Sequence, residues 1–329
     1  MQKNKKRRRQ KMKKKWMRSL WIVFVVLTLM ISFTGCQQSK TTTAVSGVET
    51  KSGATTYPVT VTDDLGNAVT IEKEPQKIVS LSPSSTEILF AIDQGDKVVG
   101  RTDYDDYPQE ALAVTSIGDF NAPNIEKIMT LSPDLVLASD FISDDVRKQL
   151  EATGAKVVVF SPTSIDGIMN NIIMTGEVTN ANDQATTVVK KMIADRQVII
   201  DKVKTATTQK SVFVDVGDFF SAGPGSMMDS MLTDINAKNI AADAATPWPQ
   251  LSTEQIITSN PDVYISLYST PDQIKATPGF DKITAIKNDD IIYYKFLDPE
   301  SNQIQRPGPR IVEGLALLAE DVYPEMFSK

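Results

Sequence analysis

The hydrophobic positions of this chain form short apolar runs separated by longer amphipathic stretches. Residues 59–71 read VTVTDDLGNAVTI, where alternating apolar residues flank an Asp-Leu-Gly-Asn turn and predict a β-hairpin. Further runs predict buried strands at Ile78–Leu81, Leu135–Ala138, Val157–Phe160, Val212–Val216, Val263–Leu267 and Ile291–Phe296. Helical stretches separate these strands, so the pattern predicts an α/β fold.

One unit of the chain nearly repeats itself. Residues 125–138 (IEKIMTLSPDLVLA) match residues 253–266 (TEQIITSNPDVYIS) at an offset of 128 without a gap, and Glu126 falls on Glu254. Each copy predicts a short helix that opens with an acidic residue, a Ser/Asn-Pro-Asp turn and a buried strand. The offset is much longer than the period of about 20–50 residues in solenoids. The repeat therefore predicts two similar lobes related by a pseudo-two-fold axis, with a ligand cleft between them.

A stretch without Gly or Pro lies between the two copies, from Ala181 to Lys210. Its apolar stripe predicts a helix of ~25 residues, roughly 38 Å long, which could cross between the lobes. A rigid helix at this place predicts only small hinge motion. We therefore expect an N-terminal lobe over residues 57–178, a linking helix over 179–210 and a C-terminal lobe over 211–329.

The N-terminus has the parts of a bacterial export signal. Residues 1–18 hold 11 Lys and Arg residues and no acidic residue, and the apolar run Ser19–Phe33 follows them. That run is shorter than the roughly 20 residues that cross a bilayer, so a stable membrane-spanning helix is the weaker interpretation. A charged region, a short apolar region and a small-residue cleavage site predict a signal peptide over residues 1–35.

Cys36 is the only cysteine of the chain, which excludes an intramolecular disulfide. It directly follows Phe33-Thr34-Gly35, and these four residues resemble a bacterial lipobox. We therefore expect lipidation of Cys36 and a location on the extracytoplasmic face of the bacterial cell membrane; an ordinary signal peptide is the alternative. Residues 36–56 contain almost no large apolar group and are typical of a flexible tether.

Loss of the leader changes the net charge. The whole chain carries 35 basic and 41 acidic residues, and the leader removes 11 basic residues and no acidic one. The mature chain therefore has a net charge of −17, which disfavours nucleic acid and anionic lipid and favours basic protein partners. The basic N-terminal run is accordingly interpreted as a targeting signal.

Histidine is absent from all 329 residues. This absence excludes His-dependent nucleophile systems, His-rich zinc or manganese sites and His-ligated haem. No paired-carboxylate motif stands out for acid/base catalysis either. We therefore expect no enzyme activity, no metal site and no cofactor.

Several short motifs follow one another in the order Leu81-Ser-Pro-Ser-Ser-Thr-Glu87, Val99-Gly100-Arg101, Tyr104-Asp-Asp-Tyr-Pro108, Ser132-Pro-Asp134, Pro247-Trp-Pro-Gln250 and Arg306-Pro-Gly-Pro-Arg310. Through them, the chain from about Tyr57 to Lys329 resembles the helical-backbone class (class III) of ABC-transporter substrate-binding proteins, which serve cobalamin, siderophores and haem. Within that class it most resembles the cobalamin-binding branch. The resemblance implies two α/β lobes with mainly parallel sheets, joined by one long helix.

The resemblance also implies a function. The protein would bind a corrinoid in the cleft and deliver it to an ABC importer whose permease and ATPase are separate chains. A haem or iron–siderophore receptor of the same class remains an alternative, and so does a ligand-sensing subunit without transport.

The resemblance also implies roles for individual residues. The implied ligand contacts are Tyr104, Tyr107, Phe120, Phe220, Trp248, Asn302 and Arg306. Phe120 stands where the cobalamin-binding branch has a tryptophan, and Asn302 stands where it has an aspartate. Either Tyr104 or Tyr107 could take the tyrosine role, and Arg306 would also suit an anionic ligand because its guanidinium grips carboxylates.

The repeated glutamates Glu126 and Glu254 match the positions at which the family docks onto arginines of the permease. Two symmetric acids on two symmetric lobes suit a two-fold symmetric basic partner. Favourable interaction with the helix dipole is the alternative role of both, and the two roles can coexist. Arg310 is expected to pair within the protein.

Overall fold

Residues 47–295 and 297–327 are described by the computed structural model. The predicted signal peptide, Cys36 and residues 36–46 of the predicted tether lie outside these ranges, as does Phe296. Within the described ranges, no helix combines the length and the apolar character that a membrane crossing requires.

The N-terminal lobe is built on a parallel sheet preceded by the predicted hairpin. The hairpin pairs β1 and β2 in antiparallel fashion, and the parallel sheet has the strand order β4-β3-β5-β6. The strands of this lobe are β1 (Val59–Thr62), β2 (Ala68–Ile71), β3 (Ile78–Ser80), β4 (Val98–Gly100), β5 (Leu135–Ser139) and β6 (Lys156–Phe160).

The C-terminal lobe repeats this topology. Its strands are β7 (Ser211–Asp215), β8 (Lys238–Asn239), β9 (Val263–Ser266) and β10 (Ile291–Tyr293). All pairs are parallel, and the strand order is β10-β9-β7-β8. When the four strands of each parallel sheet are taken in chain order, both sheets place the second strand at one edge, followed by the first, the third and the fourth. The predicted α/β class and the two similar lobes are confirmed.

Helices cover both faces of the two sheets. They are α1 (Pro83–Ala91), α2 (Ile125–Leu131), α3 (Asp144–Glu151), α4 (Ile165–Thr179), α5 (Asn182–Val203), α6 (Met227–Asp234), α7 (Thr253–Ser259), α8 (Pro271–Lys275), α9 (Thr284–Lys287), α10 (Pro299–Gln305), α11 (Ile311–Val322) and α12 (Pro324–Phe327). Short 3-10 turns lie at Gly95–Lys97, Gln109–Ala113 and Phe280–Lys282.

The repeated unit has the same local structure in both lobes. Helices α2 and α7 are each seven residues long. The side chains of Asn124 and Ser252 cap their N-termini, and both helices end at a left-handed residue, Ser132 or Asn260. Such caps satisfy backbone groups that a short helix otherwise leaves unpaired.

The aspartates of the repeated unit, Asp134 and Asp262, form hydrogen bonds between neighbouring strands of the two sheets. Asp134 Oδ2 accepts the backbone N–H groups of Gln76 and Lys77 at 2.9 and 3.1 Å. Asp262 Oδ2 accepts the backbone N–H and the hydroxyl of Ser211 at 2.8 and 2.7 Å. Each aspartate therefore ties the start of one strand to the start of the neighbouring central strand.

Helix α5 is the long helix between the lobes. It has 22 residues and a length of about 33 Å, slightly shorter than the helix of ~25 residues predicted within the stretch 181–210. Three threonines follow within five residues of its end at Val203, and β-branched residues are poor helix formers. Arg196, which is buried, donates to Asp234 of the C-terminal lobe at 2.7 Å and to Asp166 at the start of α4.

One apolar core joins this helix layer to both lobes. Ile88 of α1 packs into it together with Val189 of α5 and Leu315 of α11. Helix α1 follows the first strand of the N-terminal sheet, whereas α11 belongs to the C-terminal lobe. The linking helix is therefore packed into both lobes, and the small hinge motion expected from the sequence stays a prediction.

The folded part begins before Tyr57, where the sequence analysis placed its start. Gly53 donates its N–H to Asp183 Oδ1 at 3.1 Å, and Thr55 donates its N–H to Asn180 Oδ1 at 2.8 Å. Asn182 Nδ2 in turn donates to the carbonyl of Gly53 at 2.8 Å. The last residues of the predicted tether 36–56 are therefore fastened to the junction of α4 and α5.

Candidate ligand-binding site

A cavity of about 710 Å³ lies between the two lobes. Its N-terminal side is formed by segments that follow β3, β5 and β6, at the carboxyl edge of the parallel sheet. Its C-terminal side is formed by the segments 225–227, 247–248 and 302–307, together with Leu297. The crevice outside the carboxyl ends of parallel strands is the usual ligand site of open α/β sheets, and the volume suits a drug-sized ligand.

Aromatic rings line the N-terminal side of this cleft. Tyr104 meets Phe120 edge to face with 5.5 Å between ring centroids, and Phe120 meets Phe141 at 5.9 Å. Phe160 also contributes to the lining. Phe141 is 67% exposed, so much of this aromatic surface remains available to a flat apolar ligand.

Trp248 supplies the aromatic surface on the opposite side. The indole is 56% exposed and lies between Pro247 and Pro249, which restrict the backbone. Gly223 donates its N–H to the carbonyl of Pro247 at 2.8 Å, and a Cβ on Gly223 would lie 2.6 Å from the carbonyl oxygen of Thr246. The glycine thus lets the two segments approach, and the tryptophan loop is held at the cleft edge.

Two of the aromatic candidates do not line the cleft. Tyr107 lies against Arg310, whose guanidinium is 3.9 Å from the ring centroid, so Tyr104 is the tyrosine at the cavity. Phe220 is 40% exposed, and it is not among the residues that line the cleft. Its neighbour Phe219 packs onto Phe280, with 5.5 Å between the ring centroids.

Arg306 lines the cleft and also joins the lobes. Its Nη1 donates to Asp106 and lies 3.4 Å from Glu87 Oε1, and its Nη2 donates to the carbonyl of Tyr104 at 3.2 Å. Asn302, one turn earlier, donates to Asp106 Oδ2 at 3.4 Å. The guanidinium predicted to contact ligand is therefore already paired with two carboxylates.

Arg310 pairs within the protein, as expected from the sequence. It donates to Glu87 through Nε at 2.9 Å and through Nη2 at 2.6 Å, a bidentate arrangement. Burial lowers the pKa of Arg310, but the hydrogen bond and charge of Glu87 more than offset this, so the pKa is raised. Because Glu87 lies on α1, this pair joins the two lobes beneath the cleft.

A buried aspartate holds the loop that carries Tyr104 and Asp106. Asp105 is fully buried and accepts the hydroxyl of Thr86 at 2.5 Å, together with the hydroxyl and the N–H of Thr102. Burial raises the pKa of the Asp105 carboxyl to about 6, although the hydrogen bonds from Thr102 and Thr86 act in the opposite direction. The loop is thereby fastened to α1.

This raised pKa predicts a pH-dependent stability. Asp105 binds its proton more tightly in the folded chain, so its contribution to stability is present at low pH and is lost as the pH rises through about 6. The free energy of unfolding of the wild type minus that of Asp105→Asn should therefore decrease by up to about 3 kcal/mol when the pH is raised from acid to neutral. Urea unfolding of both proteins at a series of pH values measures this difference. A difference that stayed flat or rose with pH would contradict the assignment.

Glu126 and Glu254 both lie in the first turn of their helices, α2 and α7, and both are exposed. Hydrogen bonds from its own backbone N–H and from Ser252 lower the pKa of Glu254. No salt bridge between residues of the described ranges involves either glutamate. The two carboxylates are therefore available at equivalent places on the two lobes.

Several lining residues were missed by the sequence analysis. They are Phe141 and Phe160 on one side, Met227 and Leu297 on the other, and the polar residues Asp119, Asp140 and Asn171. Phe141 could have been found, because it lies two residues after the strand of the first repeated unit. In the described part of the chain, no group of three or more Asp, Glu, Cys or His side chains could hold a metal ion.

Residues 78–296 match the family described as "Periplasmic binding protein". The chain belongs to this family. Its members are the solute-binding proteins of ABC importers, a class of transport proteins rather than enzymes. The two parallel sheets flanked by helices agree with the class III fold.

Individual relatives span most of the chain. The uncharacterized ABC transporter substrate-binding lipoprotein YvrC of Bacillus subtilis (strain 168) is 40% identical over 287 residues, which cover 83% of this chain and 88% of that protein. A cobalamin-binding protein of Halobacterium salinarum is 30% identical and covers 81% of this chain and 74% of that protein.

A solved structure shares the fold at similar identity. It is a possible iron-binding (periplasmic solute-binding) protein from Staphylococcus epidermidis, with a TM-score of 0.70 and 33% identity. The match covers 76% of this chain and all of that chain.

Proposed function

We propose that this protein binds cobalamin or a related corrinoid in the inter-lobe cleft and delivers it to an ABC importer. The observation that carries the proposal is the pair of aromatic surfaces, Tyr104, Phe120 and Phe141 on one lobe and Trp248 on the other. A corrin ring is large, flat and partly apolar, so it suits aromatic walls at both edges. The Halobacterium salinarum relative, a cobalamin-binding protein, supports this ligand class.

An iron–siderophore or haem receptor is the second candidate. The possible iron-binding protein from Staphylococcus epidermidis favours it at 33% identity. Arg306 could meet an anionic ligand, but only in competition with the two carboxylates that it already contacts.

Titration calorimetry tests the proposal. A soluble form of the mature chain, which begins at residue 37 and therefore lacks the lipidation site Cys36, is titrated with cyanocobalamin, haemin and a panel of ferric siderophores. Saturable one-to-one binding of cyanocobalamin is the expected result. Binding of haemin or a siderophore without cyanocobalamin binding would assign the cleft to the second candidate.

Trp248→Ala should weaken corrinoid binding by about 1–3 kcal/mol, or about 5- to 150-fold in Kd, because an exposed and rigidly held indole acts as an anchor. The same titration measures the change. Phe220→Ala is the matched control, since this ring is also exposed but lies outside the lining. Equal losses in both variants, or no loss in Trp248→Ala, would remove Trp248 from the site.

We further propose that Glu126 and Glu254 dock the loaded protein onto basic residues of the permease. Their equivalent, exposed places on two similar lobes support this role. Lipidation of Cys36 would keep the receptor at the membrane and raise its effective concentration at the permease. The lipoprotein among the relatives supports such an anchor.

A further inference from the structure

The charges at the cleft are unevenly distributed. Among the lining residues of the described chain, Asp119 and Asp140 are acidic and Arg306 is the basic residue. Arg306 already meets Asp106 and Glu87, and its side chain is only 11% exposed. The carboxylates of Asp119 and Asp140 are therefore not neutralised by a basic residue among those that line the cleft.

These two aspartates lie directly beside the aromatic wall. Asp119 precedes Phe120 and Asp140 precedes Phe141, and the two rings are 5.9 Å apart. Asp119 accepts the N–H of Asn121 at 2.7 Å. Asp140 accepts the hydroxyl of Ser161 at 2.6 Å. No salt bridge within the described ranges involves either aspartate, and each carboxylate keeps free acceptor capacity.

A buried hydrogen-bond acceptor on the N-terminal side of the cleft also favours a ligand that carries donors. Asn171 lines the cavity and is only 2% exposed. Its Nδ2 donates to Asp64 at 2.9 Å, which fixes the orientation of the amide because a carboxylate can only accept. Asn171 Oδ1 then has no hydrogen-bond partner in the described part of the chain. A buried acceptor without a partner is costly and calls for a donor.

We propose that Asp119, Asp140 and Asn171 form an acceptor rim that determines ligand specificity, an inference that rests on the proposed corrinoid function. The rim selects ligands that carry N–H donors at their periphery, such as primary amides, and rejects ligands that carry peripheral carboxylates. The amide groups around a corrin meet this requirement, whereas porphyrin propionates would face Asp119 and Asp140. The net charge of the mature chain, −17, adds to the exclusion of anions.

The test compares ligands that differ by one charge. Cyanocobalamin and its monocarboxylic acids, in which one peripheral amide is hydrolysed, are titrated into the mature chain. The wild type should bind at least one of the acids about tenfold or more weakly than cyanocobalamin, the scale of one close like-charge contact. Asp119→Asn combined with Asp140→Asn should reduce this discrimination to about threefold or less.

The control removes two charges elsewhere. Asp96→Asn combined with Asp290→Asn changes one exposed aspartate on each lobe, at the amino edges of the sheets and outside the cleft lining. This variant should discriminate as the wild type does. Discrimination that is equal in the wild type and in the Asp119/Asp140 variant would overturn the acceptor rim and leave the corrinoid function in place.

A second arm separates the rim from the corrinoid assignment. A cationic ferric hydroxamate and haemin are titrated into the same three proteins. Binding of the hydroxamate without corrinoid binding, with haemin excluded until Asp119 and Asp140 are neutralised, would support the rim and refute the corrinoid function. Tight binding of haemin by the wild type would overturn both.

Discussion

Charge reversal at both Glu126 and Glu254, each to lysine, is expected to abolish ligand uptake while the affinity for ligand stays within about twofold. A basic permease surface would meet two new positive charges, and like charges placed face to face cost several kcal/mol. The ligand affinity should not change, because neither glutamate lines the cleft. Uptake of labelled cobalamin by cells that depend on this receptor measures the first effect, and calorimetry measures the second.

The chain offers a matched control for this experiment. Asp96→Lys combined with Asp290→Lys also reverses one exposed acidic residue on each lobe, but at the amino edges of the sheets. The net charge is the same as in the Glu126/Glu254 variant, so a general charge effect on uptake would appear in both. Normal uptake with both glutamates reversed would show that docking uses another surface.

The fold could be predicted largely from the repeated unit. Its helix has seven residues in both copies, and the strand after the Pro-Asp turn has five residues in one copy and four in the other. The two copies are this similar because the caps and the aspartate contacts are encoded within the unit itself. The edge strands β4 and β8 were missed. The first has three residues, and the second has two with no apolar side chain, so neither produces a periodic pattern.

The site could be predicted only in part. Tyr104, Phe120 and Trp248 were found through the resemblance to a family, and the structure brings them to one cleft. The sequence could not show which of the neighbours Phe219 and Phe220 is held by core packing. That choice depends on Phe280, a residue distant in sequence.

The long-range charge pairing was equally invisible in the sequence. Glu87 and Arg306 are separated by 219 positions, and Glu87 and Arg310 by 223. No periodicity connects residues at such distances, so the resemblance to a family predicts Arg306 only as a ligand contact. Because Arg306 is paired with Glu87 and Asp106, an anionic ligand would have to compete with two carboxylates for its guanidinium.

Glu87→Ala is expected to lower the free energy of unfolding by about 3–5 kcal/mol, the usual cost of removing one partner from a buried ion pair. Glu87 is 3% exposed, and the side chains of Arg306 and Arg310 are 11% and 12% exposed. Without Glu87, Arg310 loses both of its carboxylate hydrogen bonds while remaining largely out of water. Urea unfolding followed by circular dichroism measures the loss.

A companion variant shows whether burial is the cause. Asp106→Ala removes another carboxylate from Arg306, but the Asp106 side chain is 49% exposed, so this change should cost only about 1 kcal/mol or less. Glu87→Met combined with Arg310→Met should recover much of the stability that Glu87→Ala loses, because the unpaired guanidinium of Arg310 is then removed and Arg306 keeps Asp106 as its partner. A loss in Glu87→Ala no larger than that in Asp106→Ala would mean that water reaches the arginines. The contact between α1 and the segment 306–310 would then hold the lobes together less firmly than its geometry indicates.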